Sequence, residues 1–595
     1  MAYGANKHLG GIIVANRGTP VQFTATNALP STHIIPVDKT IMGAEPGQPE
    51  NRATIHLHGG FVPWISDGGP YTWFEPGGGY GVSAGAGGAA YKAINPSLLP
   101  GQGAYYYPNM QGARMAWYHD HALGITRINA YAGLASAYVI TDAYEASLTG
   151  PQCNLPGPLD PRTKYLIFQD KVFVDSAAAM AVKDPTWFGT MPNSRPGDLW
   201  YPHAYEPARW MLGAGGLPLP TVSCTPEFFG DAILVNGTVA PFLEVEPRQY
   251  RLRMLNACNA RFLNPRLVYA QGNFGAAATE AKPTTAGPAF IQIGSEGGFL
   301  PAPTMVNGPR QPFLLVAPGE RADLIVDFRA VPAGSILILY NDAAAPFPKG
   351  SALNDHYPGN PKTPTSTPGY TSATRTLLQI RVKPLVGAPN PAISLPATAM
   401  QNPLDPPYLI SQVPGVPNAL PTGIRVRRLT LNEAFDLYGR LIQMLGTDQP
   451  PVAPVGKAPP AFGRAYDATP TEVVNPGSTE VWEIVNNTAD THPMHFHLVN
   501  VQILSRQSIS VKGYTGGTPN YLGPLFAPDP NELGWKETVR MNPGEVTRVI
   551  MKFDLPAALP FTVPPSPRTG GNEYVWHCHI LEHEEHDMMR PLVVT

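Results

Sequence analysis

Short apolar runs separated by turn residues dominate the pattern of the chain. The runs are rich in β-branched and aromatic residues, and Gly, Pro, Asn or Asp lies close to most of them. This pattern is typical of β-sandwiches and barrels, and helical periodicity is scarce. The predicted strands cover residues 21–26, 165–169, 232–235, 250–255, 322–328, 336–340 and 546–553.

Two Pro-rich breaks divide the chain into three parts. Ten prolines fall within residues 384–421, which indicates an extended linker, and a second break follows Thr141. We therefore expect domains at 1–150, 151–383 and 426–595, with a linker at 384–425. Four segments with few packing residues are expected to be surface insertions, although the aromatic-rich stretch 200–210 could wall a cleft. These segments are 77–103, 177–216, 272–287 and 349–374.

Composition narrows the function classes. The 595 residues carry 41 Lys and Arg against 44 Asp and Glu, and only 14% of them are charged. Because there is no basic excess, an extended nucleic-acid footprint is not expected. The sequence contains no run of the roughly 20 apolar residues that span a bilayer. The first ten residues also lack the basic and apolar regions of a secretion signal.

Four cysteines allow little disulfide chemistry. Cys578 stands between two histidines and is assigned separately, so at most one disulfide remains, and Cys153 with Cys224 is the expected pair. So few cysteines in a chain of this length do not fix the redox compartment.

The histidines are concentrated in four short clusters. Of the 15 histidines, 11 lie in these clusters when His586, which follows His583, is counted, and each cluster contains two histidines spaced two residues apart. His586 does not fit the spacing and is expected to be exposed to solvent, while His8, His33, His203 and His356 show no pattern. The clusters are His56-Leu57-His58-Gly59, Trp117-Tyr118-His119-Asp120-His121, His492-Pro493-Met494-His495-Phe496-His497, and Trp576-His577-Cys578-His579 followed by His583 and Met588.

Strand geometry predicts what such pairs can bind. Alternate side chains of a strand share a face and lie about 6.6–7 Å apart. Each pair can therefore serve two neighbouring ions more readily than one. The eight paired imidazoles suit a cluster of two or three metals, and they far exceed the four ligands of a structural zinc site.

The same alternation separates Cys578 from its neighbours. Its thiolate must point away from His577 and His579 and would bind a different metal. Two imidazoles, a thiolate and a weak axial thioether are the ligands of a blue-copper electron-transfer site. His492, His583 and Met588 can complete that set around Cys578. The sequence thus predicts an electron-entry site joined directly to a multinuclear site.

The four clusters together resemble the motifs of the multicopper oxidases, HxHG, HxH, HPxHxH and HCHxxxHxxxxM, in the family's order. The second and fourth clusters are similar to the branch that contains bacterial spore-coat laccase, bilirubin oxidase and phenoxazinone synthase. The resemblance covers all three parts of the chain. It implies an all-β fold of three cupredoxin-like, Greek-key β-sandwich domains, with no copper in the second. The blue copper would lie in the third domain and a trinuclear cluster between the first and third.

The resemblance also implies four copper ions and their ligands. The type 1 copper would be bound by His492, Cys578, His583 and Met588. The type 2 copper would be bound by His56 and His495. One type 3 copper would be bound by His58, His119 and His579, and the other by His121, His497 and His577.

The implied reaction has two halves. One-electron oxidation of phenols, aromatic amines or bilirubin-type substrates at the type 1 copper would be coupled to four-electron reduction of dioxygen to water at the cluster. Electrons would pass through Cys578 to His577 and His579. Because dioxygen reduction consumes protons, acids are expected near the cluster. Asp67 and Glu584 match positions that the spore-coat branch uses for proton supply.

Two alternatives remain open. The first is a metal-ion oxidase for cuprous, ferrous or manganous ions, which the dispersed methionines disfavour. The second is a copper-free structural protein of the cell envelope, although all ten expected histidines, the cysteine and the methionine are present.

The expected partners are a small aromatic donor and dioxygen, with no nucleic acid and no membrane, and the chain is expected to be a monomer. The compartment is open, with a secreted, periplasmic or spore- or cell-surface location favoured despite the lack of a signal peptide in this chain.

Overall fold

Paired β-sheets form the architecture. The computed structural model describes residues 1–203, 225–271, 281–308, 311, 313–355, 357, 373–435, 440–450 and 462–595. Within these residues the strands form six sheets. Two sheets take their strands from residues 13–141, two from 163–382 and two from 425–594. The all-β prediction is confirmed, whereas the exact domain boundaries stay predictions.

The first part of the chain contains a four-stranded sheet in the order β1-β6-β5-β3 and the antiparallel pair β2-β4. Strand β2 has the predicted bounds, and its alternating exposure places one face against the core. The strands are β1 Ile13–Asn16, β2 Val21–Thr26, β3 His56–His58, β4 Gln102–Tyr107, β5 Arg114–His119 and β6 Ala135–Thr141.

The middle part contains an eight-stranded and a five-stranded sheet. The predicted strands at 165–169, 232–235, 250–255, 322–328 and 336–340 are confirmed, with ends that shift by at most a few residues. The strands are β7 Thr163–Phe173, β8 Leu199–Trp200, β9 Ala232–Val235, β10 Thr238–Val239, β11 Phe242–Val245, β12 Gln249–Asn256, β13 Pro265–Ala270, β14 Ala281–Ala286, β15 Phe290–Ser295, β16 Gly298–Val306, β17 Arg321–Asp327, β18 Ile336–Asn341 and β19 Thr376–Val382.

The last part contains two five-stranded sheets, in the orders β21-β20-β23-β27-β25 and β22-β29-β28-β24-β26. The strands are β20 Arg425–Phe435, β21 Leu441–Thr447, β22 Glu472–Val474, β23 Thr479–Asn486, β24 His492–Phe496, β25 Val501–Ser508, β26 Thr538–Met541, β27 Glu545–Lys552, β28 Asn572–Cys578 and β29 Met589–Val594.

Helices are short and sit between strands. The α-helices are α1 Ala89–Ile94, α2 Thr126–Ala132, α3 Ala143–Leu148, α4 Ala177–Lys183, α5 Trp187–Thr190 and α6 Leu581–Glu585, with 3₁₀ turns at Trp64–Ser66, Val82–Ala84 and Pro530–Glu532. Across the part of the chain that the structure describes, none of the helices is long and apolar enough to span a bilayer.

Two predicted surface insertions contribute to the core. The segment 77–103 includes α1, whose Tyr91 is buried and whose hydroxyl donates to the Thr72 carbonyl oxygen at 2.6 Å. In the segment 177–216, Met180 and Trp187 are fully buried in a cluster with Trp200. The composition of these segments did not predict the contacts, because a few large side chains supply most of the packing area.

One apolar core is shared by the first and last parts of the chain. Trp64 and Tyr105 from the first part belong to the same buried cluster as Trp482, Met494 and Trp576 from the last. The middle part has a separate core of its own. The first and last parts therefore pack directly on each other, which brings together their histidine clusters.

Candidate metal centres

Two strand pairs carry the histidines. In the first part, β3 pairs antiparallel with β5, and His56 lies opposite His119. In the last part, β24 pairs antiparallel with β28, and His495 lies opposite His577. His497 and His579 follow directly after strand ends, and His121 lies two residues after the end of β5. Because cross-strand neighbours share a face, each pairing aligns two histidine clusters.

Eight imidazoles from these strands converge between the first and last parts. The Nε2 atoms of His56 and His495 lie 3.3 Å apart. The His577 Nε2 atom lies 3.2 Å from those of both His121 and His497. The members of this eight-histidine cluster are all at most 1% exposed: His56, His58, His119, His121, His495, His497, His577 and His579.

The inward nitrogens fit a bound cation. Burial lowers the pKa of His119 to about 3 and the pKa values of His56 and His579 well below the ordinary value, so these imidazoles are neutral. A neutral imidazole has one acceptor nitrogen. Within the described residues, the Nε2 of His119 and both ring nitrogens of His579 have no hydrogen-bond partner. Buried acceptors that face one another without protons are stabilised by metal ligation.

Each imidazole also has an outer nitrogen, the ring nitrogen that points away from the other imidazoles of the cluster. Backbone carbonyl oxygens accept hydrogen bonds from several of these outer nitrogens. Nδ1 of His56 donates to the Asp67 carbonyl at 2.6 Å, and Nδ1 of His119 donates to the Asp120 carbonyl at 2.8 Å. Nδ1 of His495 donates to the Glu537 carbonyl at 3.0 Å. Since a carbonyl can only accept, these contacts place the proton on Nδ1 and leave Nε2 free to ligate.

The two predicted acids both touch this cluster. Oδ2 of Asp67 lies 2.6 Å from Nδ1 of His497, and burial raises the pKa of Asp67 well above its ordinary value. Glu584 lies between two imidazoles, with Oε1 3.3 Å from His121 Nδ1 and Oε2 3.0 Å from His577 Nδ1. Both carboxyl groups are buried.

Cys578 belongs to a second donor set. Its Sγ lies 3.5 Å from His492 Nδ1 and 3.8 Å from His583 Nδ1, and these two nitrogens are 3.2 Å apart. Met588 is fully buried, and its carbonyl accepts from Cys578 N at 2.9 Å. Burial lowers the pKa of His492 to about 3 and raises the pKa of the Cys578 thiol. The strand alternation thus places His577 in one donor set and Cys578 in the other.

Acidic residues lie beside the Cys578 set. Oε1 of Glu227 lies 3.9 Å from Nε2 of His583. Burial, with the charges of Asp490, Glu582 and Glu433, raises the pKa of Glu227 well above its ordinary value. Sequence patterns gave no sign of this group, because Glu227 is far along the chain from His583.

His586 was wrongly predicted to be exposed. Its side chain is only 7% exposed, because α6 packs against both β21 and α2. Three unpatterned histidines have partners of their own. His8 lies 2.9 Å from the Gln169 side chain, His33 lies 3.1 Å from Asn129, and His203 lies 3.1 Å from Asp184.

Some predictions fall wholly or partly outside the described residues. Cys224, the expected partner of Cys153, and His356 lie outside, as does most of the stretch 200–210. Within the described part of that stretch, Tyr201 is buried and donates to Glu582 Oε1 at 2.8 Å. Because Glu582 belongs to α6, Tyr201 packs near that helix.

Comparisons with known proteins agree with this geometry. A sequence profile of the multicopper oxidase family matches residues 442–595. A laccase from Bacillus subtilis is 33% identical, over 98% of this chain and 88% of its own length. The protein named multicopper oxidase LPR1 homolog 1 from rice is 30% identical, over 98% of this chain and 82% of its own.

A solved structure supports the fold. The McoA multicopper oxidase from Aquifex aeolicus aligns with a TM-score of 0.57, over 98% of this chain and 89% of that chain, at 24% identity. Together with the six sheets, this bears out the prediction of three cupredoxin-like domains. From its laccase relatives and its donor sets, the chain belongs to the multicopper oxidase family and is a copper-dependent, laccase-like oxidoreductase with dioxygen as electron acceptor.

Proposed function

We propose that this oxidase takes single electrons from small aromatic donors, namely phenols, aromatic amines or bilirubin-type compounds. The observation that carries the proposal is the connection of the two donor sets through Cys578. Its Sγ lies in one set, while the imidazoles of its neighbours His577 and His579 lie in the other. Electrons from a donor therefore have a short covalent path to the place where dioxygen is reduced.

The ligand assignment is part of the proposal. Copper in the two sets would supply one-electron redox chemistry beside Cys578 and dioxygen reduction in the eight-histidine cluster. The Cys578 set would be completed by His492, His583 and Met588. In the cluster, His56 and His495 would hold one ion, His58, His119 and His579 a second, and His121, His497 and His577 a third.

The protein itself orients the imidazoles and excludes bulk water from the cluster. The carbonyls of Asp67, Asp120 and Glu537 fix three imidazoles by their outer nitrogens, so little reorganisation is needed when a ligand binds. Burial of all eight imidazoles keeps bulk water away from the cluster. Both donor sets are complete within one chain, which supports a monomer as the working unit.

Asp67 and Glu584 are assigned to proton supply. Reduction of dioxygen to water consumes four protons, and both carboxyl groups reach outer nitrogens of cluster imidazoles. Glu584 can hold a proton at Oε1 or Oε2 between His121 and His577, and Asp67 can hold one at Oδ2 beside His497. Their positions let protons reach the cluster without admitting bulk water.

A visible spectrum, a copper count and steady-state kinetics test the proposal together. The copper-loaded protein should be blue, should contain four copper ions per chain and should oxidise a simple phenol. A protein that stays colourless and contains no copper after loading would refute the assignment as a copper-dependent oxidase. A blue protein that is inactive on phenols, aromatic amines and bilirubin would refute only the proposed class of electron donor.

A metal cation is a second candidate donor. The Glu227 carboxyl group lies beside Nε2 of His583, whereas Cys578 lies beside Nδ1, and the repulsion that Glu227 meets from its acidic neighbours would be relieved by a cation. A cuprous, ferrous or manganous ion bound there would be next to an imidazole of the Cys578 set.

Glu227→Gln separates the two donors. If metal ions are the substrate, kcat/KM for ferrous or cuprous ions should fall by about tenfold or more, which corresponds to about 1.4 kcal/mol, while the rate with a neutral phenol changes little. Glu244→Gln, in exposed strand β11, is the control for removing one negative charge. Equal, small effects of both variants on metal-ion rates would rule out the acidic group as a cation site.

A further inference from the structure

His58 is oriented differently from its neighbours in the cluster. His56, His119 and His495 use Nδ1 for an outer hydrogen bond, whereas His58 uses Nε2. That Nε2 lies 3.0 Å from Glu537 Oε1 and 3.1 Å from Thr538 Oγ1. Nδ1 of His58 is buried, and none of the described residues forms a hydrogen bond with it. The reversed ring therefore turns its other nitrogen toward the cluster.

Glu537 is fixed by an arginine from the middle part of the chain. Arg321 donates from Nη1 to Oε1 at 2.9 Å and from Nη2 to Oε2 at 3.0 Å. Arg321 also donates to the carbonyls of Met115 at 2.8 Å and Gly319 at 2.7 Å. A carboxylate bound to a guanidinium through both oxygens is an acceptor, so its contact with His58 requires a proton on Nε2.

Thr538 supports the same assignment independently. Its hydroxyl donates to Glu537 Oε1 at 2.7 Å. Because a hydroxyl has only one proton, Oγ1 can only accept from His58 Nε2. Both neighbours of Nε2 are therefore acceptors. The nitrogen left to bind a metal is then Nδ1, which is buried and has no hydrogen-bond partner among the described residues.

We propose that Glu537 and Arg321 are positioning residues that hold the His58 proton on Nε2 and thereby present Nδ1 as the ligand atom. The inference rests on the proposed ligand role of His58. It gives the middle part of the chain, which supplies none of the proposed ligands, a direct part in shaping the cluster. The link joins His58 in β3, Arg321 in β17 and Glu537 directly before β26, one residue from each of the three parts.

Close packing leaves this arrangement little freedom. Gly319 has a φ of +84°, and a Cβ placed there would lie 2.9 Å from the His579 ring and 3.2 Å from His58 Cε1. The backbone next to Arg321 thus lies against two imidazoles of the cluster. A glycine is needed at this position because of both its conformation and the lack of space.

Glu537 could instead be read as a metal ligand. Donor atoms of His58, His495 and Glu537 lie within 4.8 Å of one another. However, Arg321 occupies both carboxylate oxygens, and a guanidinium beside a metal ion would repel it. The geometry therefore assigns Glu537 to orientation of His58 rather than to ligation.

Copper retention in Glu537→Gln is the main test. The copper-loaded variant and wild type are challenged with a chelator, and copper loss is followed by metal analysis together with the blue absorption. Loss of such an outer partner typically weakens metal binding by 10- to 100-fold. We expect cluster copper to be lost that much more readily, while the blue absorption of the Cys578 set persists.

Glu532→Gln is the matched control. Glu532 is as buried as Glu537 and binds two arginines, with Arg506 at 2.7 and 2.8 Å and Arg540 at 2.9 Å, but no imidazole of the described residues contacts it. Its variant should lose folding stability without selective loss of cluster copper. Equal copper retention in both variants would overturn the inference. If wild type itself binds no copper, the proposed function fails instead.

A second measurement does not depend on the Glu537 variant folding. In copper-free protein labelled with ¹⁵N-histidine, the His58 signals are identified by their loss in His58→Gln. We expect protonation at Nε2 in wild type and also in Thr538→Val, which keeps the side-chain shape and leaves the Glu537 contact in place. A proton on Nδ1 in wild type would contradict the proposal.

Discussion

The eight-histidine cluster and the Cys578 set are constructed in different ways. The cluster brings together residues far apart in sequence, such as His56 and His495, and depends on packing of the first part against the last. The Cys578 set comes from one stretch between His492 and Met588, and depends on the pairing of β24 with β28 and on α6. One is an interface between parts of the chain, and the other is a local feature of one part.

The two sets also differ in how their outer nitrogens are held. Most cluster imidazoles contact a backbone carbonyl or a buried carboxylate. In the Cys578 set, His492 Nε2 lies 2.6 Å from Thr488 Oγ1, but His583 Nε2 has no hydrogen-bond partner in the part of the chain that the structure describes. A closed, oriented cluster suits dioxygen chemistry, whereas the Cys578 set, with an imidazole beside acidic groups, suits electron entry from a donor.

Cys578→Ser should have the largest effect, because it breaks one set and leaves the other. The blue absorption and substrate oxidation should be abolished, and the copper count should fall from four to three. The fold should persist, since the two side chains are similar in size. Absorption spectra, copper analysis and circular dichroism check this. Retained blue colour would refute the ligand role of Cys578.

Glu584→Gln should disturb the cluster and spare the Cys578 set. Loss of a proton donor typically slows a step by about 10²- to 10⁴-fold. Reoxidation of the reduced enzyme by dioxygen should slow by about this factor, while anaerobic reduction of the blue chromophore by a donor should change little. Stopped-flow absorption measures both steps.

Glu585→Gln is its control, because Glu585 is the next residue of α6 and accepts from Arg127 N at 2.9 Å. This variant should leave both steps near the wild-type rate. Equal slowing of reduction and reoxidation in Glu584→Gln would argue against a proton role.

His33→Gln should have the smallest effect and tests what burial alone does to a histidine. His33 lies outside both sets, and burial lowers its pKa from 6.5 to about 4. The folded state therefore binds fewer protons than the unfolded state between these values, so stability falls as the pH drops from about 6.5 to 4. Replacing His33 should reduce the loss of unfolding free energy between pH 7 and 5 by about 2 kcal/mol.

Denaturant unfolding of wild type and His33→Gln at several pH values measures this difference. If the two stability curves run parallel, burial of this histidine does not contribute to the acid sensitivity of the protein.

The sequence predicted the strands and the histidine pairs well because both depend on local spacing. Val21–Thr26 needs only its own alternation to be recognised. The sequence did not reveal Glu537, whose partner His58 is 479 residues away, or Glu227 beside His583. Burial of His586 was missed for the same reason, since it is set by how α6 packs on β21.

By itself the sequence determined the donor types, their order and the face on which each alternate side chain lies. The separation of Cys578 from His577 and His579 follows from the two-residue period of a strand, whatever the rest of the chain does. Only the tertiary structure decided which histidines meet, which carboxyl groups contact them and which ring nitrogen each presents. These depend on packing between distant segments, and a hydrogen bond across hundreds of residues leaves no periodic trace in the sequence.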